Sequence, residues 1–412
     1  MTVTRRRWLV AAGAGLVGLA TWRAWPEQGI FNPCLGVLPP ELAQHPLVRD
    51  AWAGLDPRRV WDAHVHLLGI GDGGQPPGAG FNGDGAGWRR LLTAVQRRFF
   101  LNAACCEHDP VDAAYVDRLR TLTDALPAGC KLLLLALDRA YDDDGHDDPD
   151  HTHAWASNDY CQAVVEAIPQ RFEWAASVHP YRPDAVVELQ RIKARGARAV
   201  KWIPSAQGID PASSRCDAAY QALVNLNLPL ITHAGGERAA PGDDELGNPL
   251  RLRRALEHGV RVVVAHCASM GVSRDLDRGP QGAPVDSFSL FERLMDEPAH
   301  QGRLFGDISA LPQSARAGLP LRRVLERAAD GGDWAGRLLN GSDYPLPGLM
   351  PLYSPRQLVE DGLLDAATVM PLTAIRRHNL LLFDFVLKRH LSLGGRRLAT
   401  SVFETRGFFD VA

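Results

Sequence analysis

Cysteine is scarce in this chain and carries no pattern. Seven occur in 412 residues, an odd number with no Cys-x-x-Cys pair. That argues against a disulfide framework, and the adjacent Cys105 and Cys106 read as buried small hydrophobes rather than a redox pair. An excess of either charge sign is also missing. The 45 Lys and Arg face 48 Asp and Glu, a formal net charge of −3. This balance gives no electrostatic footprint for nucleic acid. No Gly-x-Gly-x-x-Gly follows the first strand-like run, which counts against a dinucleotide-binding sheet. What remains is a composition 46% hydrophobic and 23% charged, ample for one large core.

The N-terminus stands apart. Arg5, Arg6 and Arg7 precede an apolar, glycine-rich stretch from Trp8 to about Trp22. The stretch is short for a membrane span and suits the apolar region of a signal. Arg5-Arg6-Arg7-Trp8-Leu9 resembles the bacterial twin-arginine export signal. Gly18-Leu19-Ala20 is a weak cleavage site, so the segment reads as either removed or kept as a membrane anchor. Residues 1–30 are taken as that signal or anchor, with a periplasmic or exported location expected, and residues 31–58 as a lead-in.

From residue 59 onward short apolar runs recur, with helical patterns between most of them. Strands are predicted at 59–66, 131–138, 172–180, 197–204, 228–235, 260–267, 304–310 and 336–345. Several are nearly continuous apolar runs, as parallel strands covered by helices require. Gly196 and Gly259 fall where helix C-caps belong. Eight strands with helical crossovers predict an α/β fold, a (β/α)8 barrel over 59–390, against the alternative of an open doubly wound sheet. The first crossover, about 67–130, is a long insertion that opens with a Gly/Pro-rich loop, placed to act as a lid or specificity element. The segment 373–391 is predicted as the eighth helix. The tail 391–412 reads as a strand or a partner contact.

The strand ends carry the chemistry. A strand alternates its side chains, so His64 and His66 share one face and can grip one ion. Lys201 ends the fourth strand, His233 the fifth, His266 the sixth and Asp343 the eighth, while His179 closes the third. Barrel active sites lie at these C-terminal ends. One histidine at a strand end is usually structural, but four strands sharing the habit point to metal.

The segments "DAHVH", "THAG", "AHCAS" and "NGSDYP", together with Asn379 to Phe383, resemble the amidohydrolase superfamily over roughly residues 59–385. The likeness is to its amidohydrolase-related branch, which contains aminocarboxymuconate-semialdehyde decarboxylase-like enzymes and lactonases. The resemblance implies a divalent metal, most often zinc, held by His64, His66, His233 and Asp343. Asp343 is then also the proton acceptor, and His266 a general acid/base or a group that polarises the substrate carbonyl. In two-metal relatives a lysine at the position of Lys201 is carboxylated and bridges the ions, with His233 and His266 on the second. One ion, with Lys201 facing substrate, is the preferred expectation because Trp202 follows it. A homodimer would be common for the resemblance.

Other polar residues read two ways. Asp62 shares the face of His64 and is either its partner or a solvated strand start. His179 and Arg182 come to the mouth, where Arg182 can pair with a substrate carboxylate or simply open a helix at Pro183. Glu237 sits in a loop from which it can reach the metal's water. His146, His151 and His153 lie in an acidic loop that is either a second cation site or a solvated charge run. The leading functional expectation is a metal-dependent hydrolase of an amide, ester or lactone. The alternatives are a non-oxidative decarboxylase of a small unsaturated or aromatic acid, and a non-catalytic metal- or ligand-binding barrel.

Overall fold

The computed structural model describes residues 28–74, 78–81, 88–108 and 110–410, with the backbone alone over 88–93. The candidate export signal lies almost wholly outside the described residues, as does part of the Gly/Pro-rich loop. Among the described residues no helix is long and apolar enough to cross a membrane.

Eight short parallel strands alternate with helices. The barrel strands are β1 (Trp61–His66), β2 (Lys131–Leu135), β3 (Phe172–Ala175), β4 (Val200–Trp202), β5 (Leu230–Thr232), β6 (Val262–Val264), β7 (Leu304–Asp307) and β8 (Leu338–Leu339). One sheet runs β1-β2-β3 and the other β4-β5-β6-β7-β8. Parallel bridges from Ala176 to Val200 and from Val65 to Tyr344 join the two edges, so the ring closes as a (β/α)8 barrel. Each strand is shorter than its apolar run suggested. The polar residues at the ends of those runs, from β4 onward, lie at or just past the ladder, in the loops of one barrel face.

Alternation divides the apolar residues into two layers. Ala63, Leu133, Leu135, Ala175, Ala199, Ile231, Val263 and Leu339 pack together inside the ring. Leu132, Leu134, Trp174, Val200, Trp202, Leu230, Val262 and Val264 face outward into the layer shared with the helices. These helices include α1 (Trp88–Ala103), α2 (Val111–Asp124), α3 (Asn158–Ala167), α4 (Ala185–Ala194) and α5 (Asp217–Asn225). The predicted eighth helix is in fact two, α6 (Val369–Arg376) and α7 (Leu380–His390), broken where the Asn379 side chain caps α7 by accepting from Leu382 N.

The tail is not a barrel strand. After a small hairpin it turns under the barrel, where Phe409 stacks 5.9 Å from Trp61 and Phe408 meets Phe305 edge-on at 4.8 Å. These aromatics plug the end opposite the histidines.

Cysteine also departs from expectation. Cys105 is not a buried free thiol: it forms a disulfide with Cys34, while Cys106 and four others among the described residues are free and buried. The bond ties the lead-in to the end of α1. No short-range motif announces it, because the partners are 71 residues apart. The lead-in is further fixed by Trp52, whose ring stacks on Phe385 of α7 at 4.1 Å. Within the first crossover, Asp112 accepts hydrogen bonds from the backbone N–H groups of Ile70, Gly71 and Gly73, ordering the start of the glycine loop.

Candidate metal centre

β1 supplies His64 and His66, but not through simple alternation. Its register against β2 carries one extra residue between Asp62 and Val65. Ala63 accordingly belongs to the inner layer and Val65 to the outer one. A bulge of this kind re-aims side chains near active sites, and here it turns both histidines toward the centre. Asp62 lies on the other side of the bulge. Its carboxylate accepts from the backbone N–H of Ser342 at 2.8 Å and of His64 at 3.1 Å, locking β1 to the loop after β8. Gly341 in that loop is required by close approach, since a Cβ there would stand 2.6 Å from the His64 Cβ.

Three ligand atoms, one each from His64, His266 and Asp343, lie within 4.8 Å of one another, and all three residues are buried. Asp343 is the hub. Its carboxylate is 3.2 Å from His66 Nε2, 3.6 Å from His64 Nε2 and 3.6 Å from His266 Nε2. Burial alone would raise the Asp343 pKa. The facing imidazoles of His266, His66 and His64 outweigh it and hold the carboxyl well below its usual range. His266 and Asp343 both sit in left-handed backbone, φ 54° and 59°. For residues other than glycine this costs about 1–3 kcal/mol each and is tolerated where a side chain must be aimed.

The hydrogen bonds assign the imidazole tautomers. His64 Nδ1 is 2.8 Å from Asp307 Oδ2, so it carries the proton and leaves Nε2 as a lone pair toward Asp343. His266 Nδ1 is 3.1 Å from the Ser309 carbonyl and 2.7 Å from its hydroxyl, which again leaves Nε2 for the centre. Burial lowers the pKa of His64 and His266, keeping both rings neutral. His233 is neutral for the same reason, pulled down to about 4. Its Nε2 lies 3.3 Å from Glu237 Oε2, and its buried Nδ1 has no hydrogen-bond partner. The Nε2 atoms of His64 and His266 face the Asp343 carboxylate in a set that fits a divalent ion, whereas His233 turns its Nε2 to Glu237 and lies outside that trio.

Asp307 was not singled out from the sequence, yet it organises the site. It takes the His64 proton on Oδ2, and on Oδ1 it accepts from the backbone N–H of His266 and of Ser309, each at 3.0 Å, and from the Ser309 hydroxyl. Burial pushes its pKa up, but the hydrogen bonds from the His64 ring and the Ser309 hydroxyl leave it net lowered. The signal was present. Phe305 packs against the inner layer, and two residues later on a strand the next inward position is Asp307.

Lys201 is 1% exposed, with Nζ 3.3 Å from His64 Nε2. Its pKa is lowered by burial, against the pull of Asp307, Asp343 and Glu237. His179 and Arg182 have other attachments. His179 has Nε2 on the Gln207 carbonyl at 3.0 Å and accepts from Tyr181 N on Nδ1. Arg182 ion-pairs with Asp138 and Asp184 at 3.0 and 2.9 Å, so the expectation of a substrate carboxylate meets a guanidinium already paired. Of the acidic loop, Asp142, Asp144 and His146 do converge but are exposed, and Asp142 is occupied by the backbone N–H groups of Asp144 and His146.

A closed (β/α)8 barrel with buried histidines and an aspartate at one mouth defines a metal-site barrel of the amidohydrolase type. The family model described as Amidohydrolase matches residues 61–369, well over half of the sequence, and the chain belongs to that family. No curated protein matches. Among solved structures, an uncharacterised TIM-barrel protein from Bordetella bronchiseptica is similar at 17% identity and TM-score 0.45, covering 71% of this chain and 88% of that one. A protein described as a candidate 2-pyrone-4,6-dicarboxylic acid hydrolase from Pseudomonas putida is similar at 16% identity and TM-score 0.43, covering 86% and 98%. A 5-carboxyvanillate decarboxylase from Novosphingobium aromaticivorans, with bound manganese, is similar at 13% identity and TM-score 0.41, covering 85% and 97%. The family assignment rests on the sequence model alone.

Proposed function

We propose that this chain is a metal-dependent hydrolase directing water onto the carbonyl carbon of an amide, ester or lactone. The observation that carries the reading is Asp343, a buried carboxylate ringed by the Nε2 atoms of His66, His64 and His266 at 3.2, 3.6 and 3.6 Å. A divalent ion bound there supplies Lewis acidity for the carbonyl and acidifies water. His64, His66, His233 and Asp343 would hold it, and an imidazole-rich set with one carboxylate suits a single zinc. Asp343 accepts the proton of the attacking water. His266, anchored through Nδ1 to Ser309, presents its Nε2 lone pair 3.6 Å from Asp343, to take that proton and pass it to the leaving group. Lys201 faces the substrate.

Decarboxylation of a small unsaturated or aromatic acid is the second reading. Lys201 favours it, because that reaction ends by protonating carbon and a buried amine beside His64 is placed to give the proton. The two readings separate on products. Metal-loaded protein is incubated with ester and lactone panels under pH-stat, with amides under ammonia detection, and with aromatic acids under CO2 detection. Acid release that disappears in Asp343→Asn supports hydrolysis, while CO2 release without acid release overturns it. We further propose that the chain works outside the cytoplasm, supported by the Cys34–Cys105 disulfide.

A further inference from the structure

The loop between β7 and the helix Leu319–Arg327 carries a buried arginine next to the turn that bears His266. Arg316 is 6% exposed, yet the five N–H donors of its guanidinium have little to bind. Nη1 donates to Ser269 Oγ at 3.1 Å, and Nε is buried with no partner. No carboxylate among the described residues lies within ion-pair distance, in contrast to Arg182, Arg191, Arg253, Arg293 and Arg327, each of which is paired. The charge of Arg316 is nevertheless felt at the site. Asp343, Glu237, Tyr353 and Asp307 act on it, and it acts in turn on His233 and His266. Ser269, which holds Nη1, bonds its own N–H to the His266 carbonyl at 3.0 Å, so the guanidinium sits beside the His266 turn. On the same loop Gln313 is 4% exposed with an unpartnered Nε2.

Buried charges are ordinarily paired, and an arginine fork is shaped for the two oxygens of a carboxylate. We propose that Arg316, with Gln313 beside it, recognises a carboxylate on the substrate, so that the enzyme selects anionic carbonyl compounds over their neutral analogues. The assignment rests on the proposed metal-dependent reading, in that the anion is placed next to the group being attacked.

The test is binding to the metal-loaded protein, with phthalate as the dicarboxylate probe, phthalamide as its neutral analogue and acetohydroxamate as a neutral ligand for the metal alone. Wild type is expected to bind phthalate at least about tenfold more tightly than phthalamide. In Arg316→Met phthalate affinity should fall by about tenfold or more, with acetohydroxamate affinity and metal content unchanged. Arg316→Lys keeps the charge without the fork and should lose a smaller part, and it carries the test if the methionine variant fails to fold. Equal phthalate affinity in wild type and a folded variant overturns the proposal. The same comparison made on metal-free protein by thermal shift separates the two claims: a phthalate shift that depends on Arg316 upholds the anion site even if no hydrolysis is ever found, and its absence there and in the loaded protein removes the anion site while leaving the hydrolase reading intact.

Discussion

Trp61 and His66 stand at opposite ends of β1, and the barrel changes character between them. Below, Trp61 meets Phe409, and the ring is filled by Ala63, Leu133, Ala175, Ile231 and Val263. Every group there is apolar, so burial stabilises it without further conditions. Above, the same inward positions carry Lys201, His233, Asp307 and Asp343, each buried and each dependent on a specific partner. The lower end is tolerant of chemistry and sensitive to volume. The upper end is close-packed as well, as Gly341 against His64 shows, and depends in addition on where single protons sit.

Substitutions at the two ends should therefore fail differently. The largest effect is expected for Asp343→Asn. Turnover should fall by about 10²–10⁴-fold, as for loss of a group that moves a proton, while the melting transition stays cooperative. Steady-state rates alongside circular dichroism check this. Phe409→Ala removes the plug and should cost about 3–5 kcal/mol of stability, with activity per folded molecule retained. Urea unfolding followed by tryptophan fluorescence measures it, and a loss of activity without a loss of stability would contradict the division between the two ends. Cys34→Ser opens a bond closing a 71-residue separation and should cost about 2–4 kcal/mol, seen as a lower denaturant midpoint that reduction of the wild type reproduces. The smallest effect belongs to Asp307→Asn. The amide keeps the shape but weakens its hold on the His64 proton, so metal affinity should drop by about 10–100-fold with little change in unfolding. Chelator competition reads that directly.

Much of this division was legible in the sequence, and the exceptions have physical causes. The period-two rule works on β4, β5 and β7, where the residue two places beyond an inner-layer side chain lines the candidate site: Ala199 leads to Lys201, Ile231 to His233 and Phe305 to Asp307. Asp307 was overlooked because "LFGDISA" reads as a strand running through it rather than ending there. His64 and His66 were found by their spacing, but the bulge that aims them leaves no mark in a pattern of apolar residues. His266 enters the site through left-handed turns at 266–268, which local composition does not announce. Arg316 sits on an irregular loop with no period at all. The commitment of Arg182 to Asp138 depends on residues 44 apart, and the Cys34–Cys105 bond on residues 71 apart. Such pairings belong to the tertiary fold and are silent in one sequence.

Metal content per chain, measured by plasma mass spectrometry on protein purified without added metal, bears most directly on the centre. If the buried imidazoles and Asp343 hold an ion, the wild type should carry about one divalent ion per chain, retained in Phe409→Ala and depleted in Asp307→Asn after brief chelation. A chain that carries no metal and turns over substrate unchanged in the presence of chelator would contradict the metal centre outright.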